Sequence, residues 1–178
     1  TITVAGTGSG YAVSIAGPLD STAGDIDIDS SSTLSITQPI TATTGNVTID
    51  STGSAVLDSA ADIRTATGNV TFGAGKTGAV STAGDIATAG SGDNGIIIFT
   101  RAVTLTGDVV ITNGGAGTGG ILFGSTVTGS GYALTLTAGD SGNIEFAGAV
   151  GTSSAPLGAV TINSAYNVAG DNVTGTPS

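Results

Sequence analysis

The chain contains no cysteine, histidine, methionine or tryptophan, and only three cationic residues, Arg64, Lys76 and Arg101. Thiol chemistry, disulfides, Cys/His metal sites and any Ser-His or Cys-His catalytic pair are therefore excluded within it. Thirteen acidic residues against three basic ones leave a net charge of -10. That balance opposes phosphate backbones and anionic lipid, so nucleic acid is not an expected partner. No run of about 18 apolar residues occurs, so membrane insertion as a helix is not expected either. No charged-then-apolar leader opens the sequence, which starts at Thr1 rather than Met. The expectation is a processed product or a segment of a longer polypeptide, and the lack of cysteine fits export in an unfolded form.

What is abundant is small: 31 Gly, 30 Thr and 19 Ser make up nearly half of the 178 residues. Such a composition alone would suggest a flexible linker. The chain is nevertheless 39% hydrophobic and only 9% charged, enough apolar surface to offset the entropy of ordering. Its length suits a single domain spanning residues 1–178.

Self-similarity resolves the conflict. Gly or Gly-Asx is followed repeatedly by an alternating apolar segment, as in Gly24-Asp25-Ile26-Asp27-Ile28, Gly45-Asn46-Val47-Thr48-Ile49, Gly68-Asn69-Val70-Thr71-Phe72 and Gly142-Asn143-Ile144-Glu145-Phe146. The last apolar positions form a column, Ile28, Ile49, Phe72, Phe99, Phe123 and Phe146, stepping by 21 to 27 residues. A second column runs Ile15, Ile36, Leu57, Val80, Leu105, Val127, Val150, and a third Leu19, Ile40, Ile63, Ile86, Val109, Leu134, Val160. Three columns sharing a period of about 23 residues point to an internal repeat.

Each period holds three short segments in which apolar residues alternate with Thr or Ser, the pattern of half-buried strands. No stretch carries a helical stripe, and Gly and Ser interrupt the chain too often for one. The expected fold is all-β: a parallel β-helix (β-solenoid) with three strands per coil of about 23 residues and about seven coils. At strand spacing this makes a rod roughly 34 Å long with interior ladders of equivalent side chains. The Gly-Asx pairs at 24-25, 45-46, 68-69, 84-85, 107-108, 142-143 and 170-171 are expected at corners, glycine supplying positive φ and Asx bonding the local backbone. Differences in coil length are expected in loops 113–119 and 148–158.

The segments Gly95-Ile96-Ile97-Ile98-Phe99, 103–111, Gly119-Gly120-Ile121-Leu122-Phe123, 134–139 and 142–151, followed by 156–163, resemble repeats of giant bacterial surface proteins of the filamentous-haemagglutinin and β-strand-repeat type. The N-terminal half resembles the same repeat in a more degenerate form. The resemblance implies a right-handed β-helix, export to the cell surface, and a role as a stalk, adhesin or fibre. It brings no shared catalytic residues, and the family's secretion-targeting N-terminus is not present in this sequence.

Candidate chemistry is sparse. Asp25, Asp27 and Asp29 share one strand face, and Asp29 should lie one rung from Asp50, a set of hard oxygen ligands that could hold Ca²⁺ or form a solvated acidic patch. A glycoside-cleaving carboxylate pair would need raised pKa values or nearby bases, and Arg64, Lys76 and Arg101 are expected in different coils away from acid clusters; no enzyme is expected. Stacked outward Thr48 and Thr71, and Thr135 and Thr161, would suit ice binding, but Asp27, Ile98, Leu122 and Glu145 interrupt the first face and Arg64, Ala87 and Val110 the second. Ile96, Ile98 and Leu122 should point outward as adjacent aliphatics and so mark a lateral contact. Asn-Val-Thr sequons at Asn46, Asn69 and Asn172 arise from the repeat itself and carry no weight. Neither terminus offers a helical or lysine-rich cap, so another coil is expected at the ends, from a longer chain or from stacked copies. The functional expectation is a non-enzymatic extracellular stalk or filament module that self-associates without a cofactor. The alternatives are a glycan- or host-surface-binding adhesin module, then an ice-binding or polysaccharide-cleaving β-helix.

Overall fold

A computed structural model describes residues 1–6, 10–89, 95–114 and 119–170. Among these there is no helix; the strands form three all-parallel sheets of eight, six and seven members. The chain visits the sheets in strict rotation. The first coil contributes Ile2–Gly6 to the first sheet, Val13–Ile15 to the second and Leu19–Ser21 to the third, and the second coil stacks Ile26–Ser30, Leu34–Ile36 and Ile40–Ala42 on them. This is a β-solenoid of about seven turns with about 24 residues per turn. In the seventh coil the second-sheet strand shrinks to one bridge, Val150 on Val127. The strand Asn167–Gly170 then opens the next turn by pairing with Asn143–Phe146.

Alternation decides which side chains enter the core. In Val70–Phe72, Ile97–Phe99 and Ile121–Phe123 the two outer residues are buried and the middle one is not. The column Ile28, Ile49, Phe72, Phe99, Phe123 and Phe146 is continuous, each residue being the Cα partner of the next. Its four phenylalanine rings stack with centroids 4.7–5.1 Å apart and planes within 4°. Strand spacing of about 4.8 Å imposes that separation, because identical rotamers one rung apart bring ring over ring.

The second and third columns are corrected in register. Leu57 pairs with Thr82 rather than Val80, and Val80 continues through Val103 to Val127 and Val150. Ile86 pairs with Ile111, whereas Val109 pairs with Leu134. Each expected column thus mixes two adjacent interior ladders. A slip of two residues keeps a side chain on the same face, so alternation cannot detect it.

The corners also work differently from expectation. Of the glycines in the Gly-Asx pairs at 24, 45, 68, 84, 107 and 142, only Gly24 has positive φ, at 105°. The others are small because coils stack through them: a β-carbon on Gly45 would overlap the carbonyl of Gly24, and one on Gly68 that of Gly45. The Asx side chains bond the neighbouring coil rather than their own turn. Asp25 Oδ1 accepts the Asn46 N–H at 2.8 Å, Asn46 Oδ1 accepts that of Asn69 at 2.9 Å, and Asn69 Oδ1 accepts those of Gly95 and Ile96, both at 2.9 Å. At another corner Asp62, Asp85 and Asp108 do the same for Asp85, Val110 and Ala133. These carboxylates and amides satisfy N–H groups that the corners would otherwise leave unpaired. Asp171 of the last pair lies outside the described residues, as do 115–118 of the expected 113–119 loop.

Hydroxyls also enter the core. Ser21, Ser30, Ser51, Thr65, Thr82 and Thr88 are buried at strand ends. Thr65 and Thr88 each donate to a corner carbonyl, of Gly68 and Gly95, at 2.6 Å. A hydroxyl bonded in this way enters the interior without an unsatisfied polar group.

Candidate functional site

The four candidate calcium ligands are distributed over the first sheet and its corner. Asp25 is exposed and engaged with Asn46; Asp27 is exposed beside Thr48 of the next coil. Asp29 and Asp50 are Cα partners on adjacent rungs. The cation set against this pair is the ammonium of Lys76. Residues 73–79 of the fourth coil fold back over the preceding coils, with Gly75 N–H donating to Asp50 Oδ2 at 2.9 Å and Gly78 N–H to the Ser51 carbonyl at 2.9 Å. Lys76 Nζ then pairs with Asp29 and donates to the Ser30 carbonyl at 3.3 Å, while Arg101 Nε donates to the Lys76 carbonyl at 2.6 Å.

The three cations lie in different coils, and the loop of Lys76 carries it across two rungs to a single carboxylate, Asp29. Arg64 also has a carboxylate, Asp62 at 3.1 Å. With Asp29 45% exposed, the Lys76 pair contributes at most about 1 kcal/mol. Among the described residues no three carboxylates converge where an ion could be held.

Ile96, Ile98 and Leu122 face outward, flanking the buried Ile97, Phe99, Ile121 and Phe123. Ile98 and Leu122 are Cα partners, and all three side chains are half-buried rather than fully exposed. Barer outward aliphatics lie elsewhere, among them Val56 and Val110, each 41% exposed. Asn46 and Asn69 are occupied in the corner ladder, and Asn172 lies outside the described residues.

Sequence reasoning passed over the outer face of the second sheet. Its central row, read through successive Cα partners, is Ser14, Ser35, Val56, Ser81, Thr104 and Thr128. No charge occurs in it, in contrast to the first sheet, with Asp27 and Glu145, and the third, with Asp20 and Arg64. A groove of about 480 Å³ runs along the edge of this face, where the chain turns toward the third sheet; it is lined by Ser35, Val56, Asp58, Ser59, Ala83, Thr106 and Asp108 among others. Leu57, Thr82 and Leu105 are rung partners, so Asp58, Ala83 and Thr106 follow them on successive coils, and all three line the groove. The available signal was the column Asp58, Ala83 and Thr106, legible only once the second column's register is known.

The chain matches no family model, no curated protein and no solved structure.

Proposed function

We propose that the chain is a structural module of an extracellular, cell-surface stalk or fibre of the adhesin type, which lengthens by laying one coil on another. The observation that carries this reading is the uniformity of the coil-to-coil contact. The same three parallel ladders, corner Asx bonds and interior columns recur from coil to coil. An added coil therefore needs no new kind of interface, whether it comes from the same chain or from a second copy. The likeness of residues 95–168 to filamentous-haemagglutinin-type repeats supports surface export. Half-buried Ile98 and Leu122 offer a lateral contact for bundling.

Electron microscopy with fibre diffraction of the purified chain tests the assembling form. The expected result is unbranched fibres with strands perpendicular to the axis and an axial repeat of about 4.8 Å. Monodisperse single rods at the highest soluble concentration would overturn self-assembly.

A further inference from the structure

We infer that the groove on the second sheet is a binding site for a neutral saccharide chain. Its volume, about 480 Å³, falls in the range of small-molecule sites. Its shape follows the solenoid, reaching from Ser35 in the second coil to Asp108 in the fifth. An open trough of that form suits an extended chain of sugar rings better than a compact molecule.

The lining has the chemistry to match. Val56 and Ala83 supply apolar surface on which the C–H face of a sugar ring can rest. Asp58 precedes Ala83 by one coil in the same column, Asp108 lies two residues beyond Thr106, which follows Ala83 in that column, and both carboxylates line the groove. Each carboxylate is held through one oxygen: Asp58 Oδ1 accepts the Ser59 N–H at 2.6 Å and its hydroxyl at 3.1 Å, and Asp108 Oδ1 accepts the Ala133 N–H at 2.8 Å. No hydrogen bond among the described residues uses the second oxygen of either. A carboxylate fixed through one oxygen presents the other as a pre-oriented acceptor for hydroxyl donors. The hydroxyls of Ser35 and Thr106 both donate and accept, complementing a ligand whose own hydroxyls do the same.

Charge selects among saccharides. No cation lines the groove, and the whole chain carries a net charge of -10, so uronates and other anionic sugars are repelled. A lysine-rich peptide would satisfy the two carboxylates but would leave the hydroxyl row and the apolar surface unused, so the lining favours a polyol.

The test is titration calorimetry of the intact chain with neutral gluco-, manno- and N-acetylated oligosaccharides, an oligo-uronate and an oligo-lysine peptide. At least one neutral series should bind more tightly as the oligomer lengthens, and the uronate should not bind. Ala83→Trp, whose side chain would fill the trough from the outer face, should weaken binding by at least about tenfold with an unchanged thermal melt. If that variant melts early, the paired Asp58→Asn and Asp108→Asn substitutions serve instead and should each weaken binding several-fold. Absence of binding by every neutral oligomer up to about 10 mM, undiminished binding by the filled or amidated variants, or binding of the peptide alone would overturn the inference. None of these outcomes bears on fibre formation, so the structural reading stands or falls separately.

Discussion

A β-carbon on Gly68 would overlap the carbonyl oxygen of Gly45 in the preceding coil, whereas one on Gly17 would meet no atom within 4 Å. Neither residue has positive φ. The same substitution should therefore act in opposite directions at the two sites. Gly68→Ala forces neighbouring backbones apart and is expected to destabilise the chain by at least the 1–3 kcal/mol typical of overpacking, roughly. Gly17→Ala removes freedom from the unfolded chain alone and should be neutral or stabilising by about 0.4–1 kcal/mol. Urea unfolding midpoints check both; equal effects would show that these corner glycines are not set by coil stacking. The abundance of glycine was plain in the sequence, but its cause was not. Positive φ is a property of one residue, whereas the constraint at Gly68 comes from a carbonyl 23 residues away in the chain.

At the scale of the strand, inward and outward positions could be read directly, because alternation is local. The phenylalanine column from Phe72 to Phe146 stacks as its 23- to 27-residue spacing requires. Phe99 sits fully buried between two parallel rings. Phe99→Ala should cost about 3–5 kcal/mol. Phe99→Asp, which places a charge in the ladder with no partner, should abolish the cooperative β-sheet transition. Circular dichroism melts distinguish these outcomes, and a preserved cooperative melt in the Asp variant would refute the ladder. Register within a face was less legible. Val80 and Thr82 both point inward, as do Val109 and Ile111, and spacing alone chose the wrong member of each pair. Likewise Ser and Thr read as surface residues, yet Thr65, Thr82 and Thr88 are interior because each finds a corner carbonyl.

At the scale of the molecule, every sheet contact joins residues at least 21 positions apart, and no coil has a core of its own. Such a structure opens from its outer coils inward, since an outer coil contacts one neighbour and an inner coil two. Amide hydrogen exchange should accordingly be slowest between Val47–Ser51 and Leu134–Thr137 and faster in Ile2–Gly6, Val160–Ser164 and Asn167–Gly170. Uniform protection along the rod would indicate all-or-none opening instead. The groove belongs to this scale as well. Its lining comes from four coils, and none of Asp58, Ala83 and Asp108 is distinctive in its own segment.

The sequence by itself determined the strand pattern, the period and the inward residues, because each depends on chemistry repeated along the chain. Only the tertiary structure decided which of two inward residues pair across a rung, why the corner glycines must be small, how Lys76 reaches Asp29, and where Asp58 and Asp108 line a common trough. Those outcomes depend on atoms from different coils, and a slip of two residues or a short loop rearranges them without changing the local pattern.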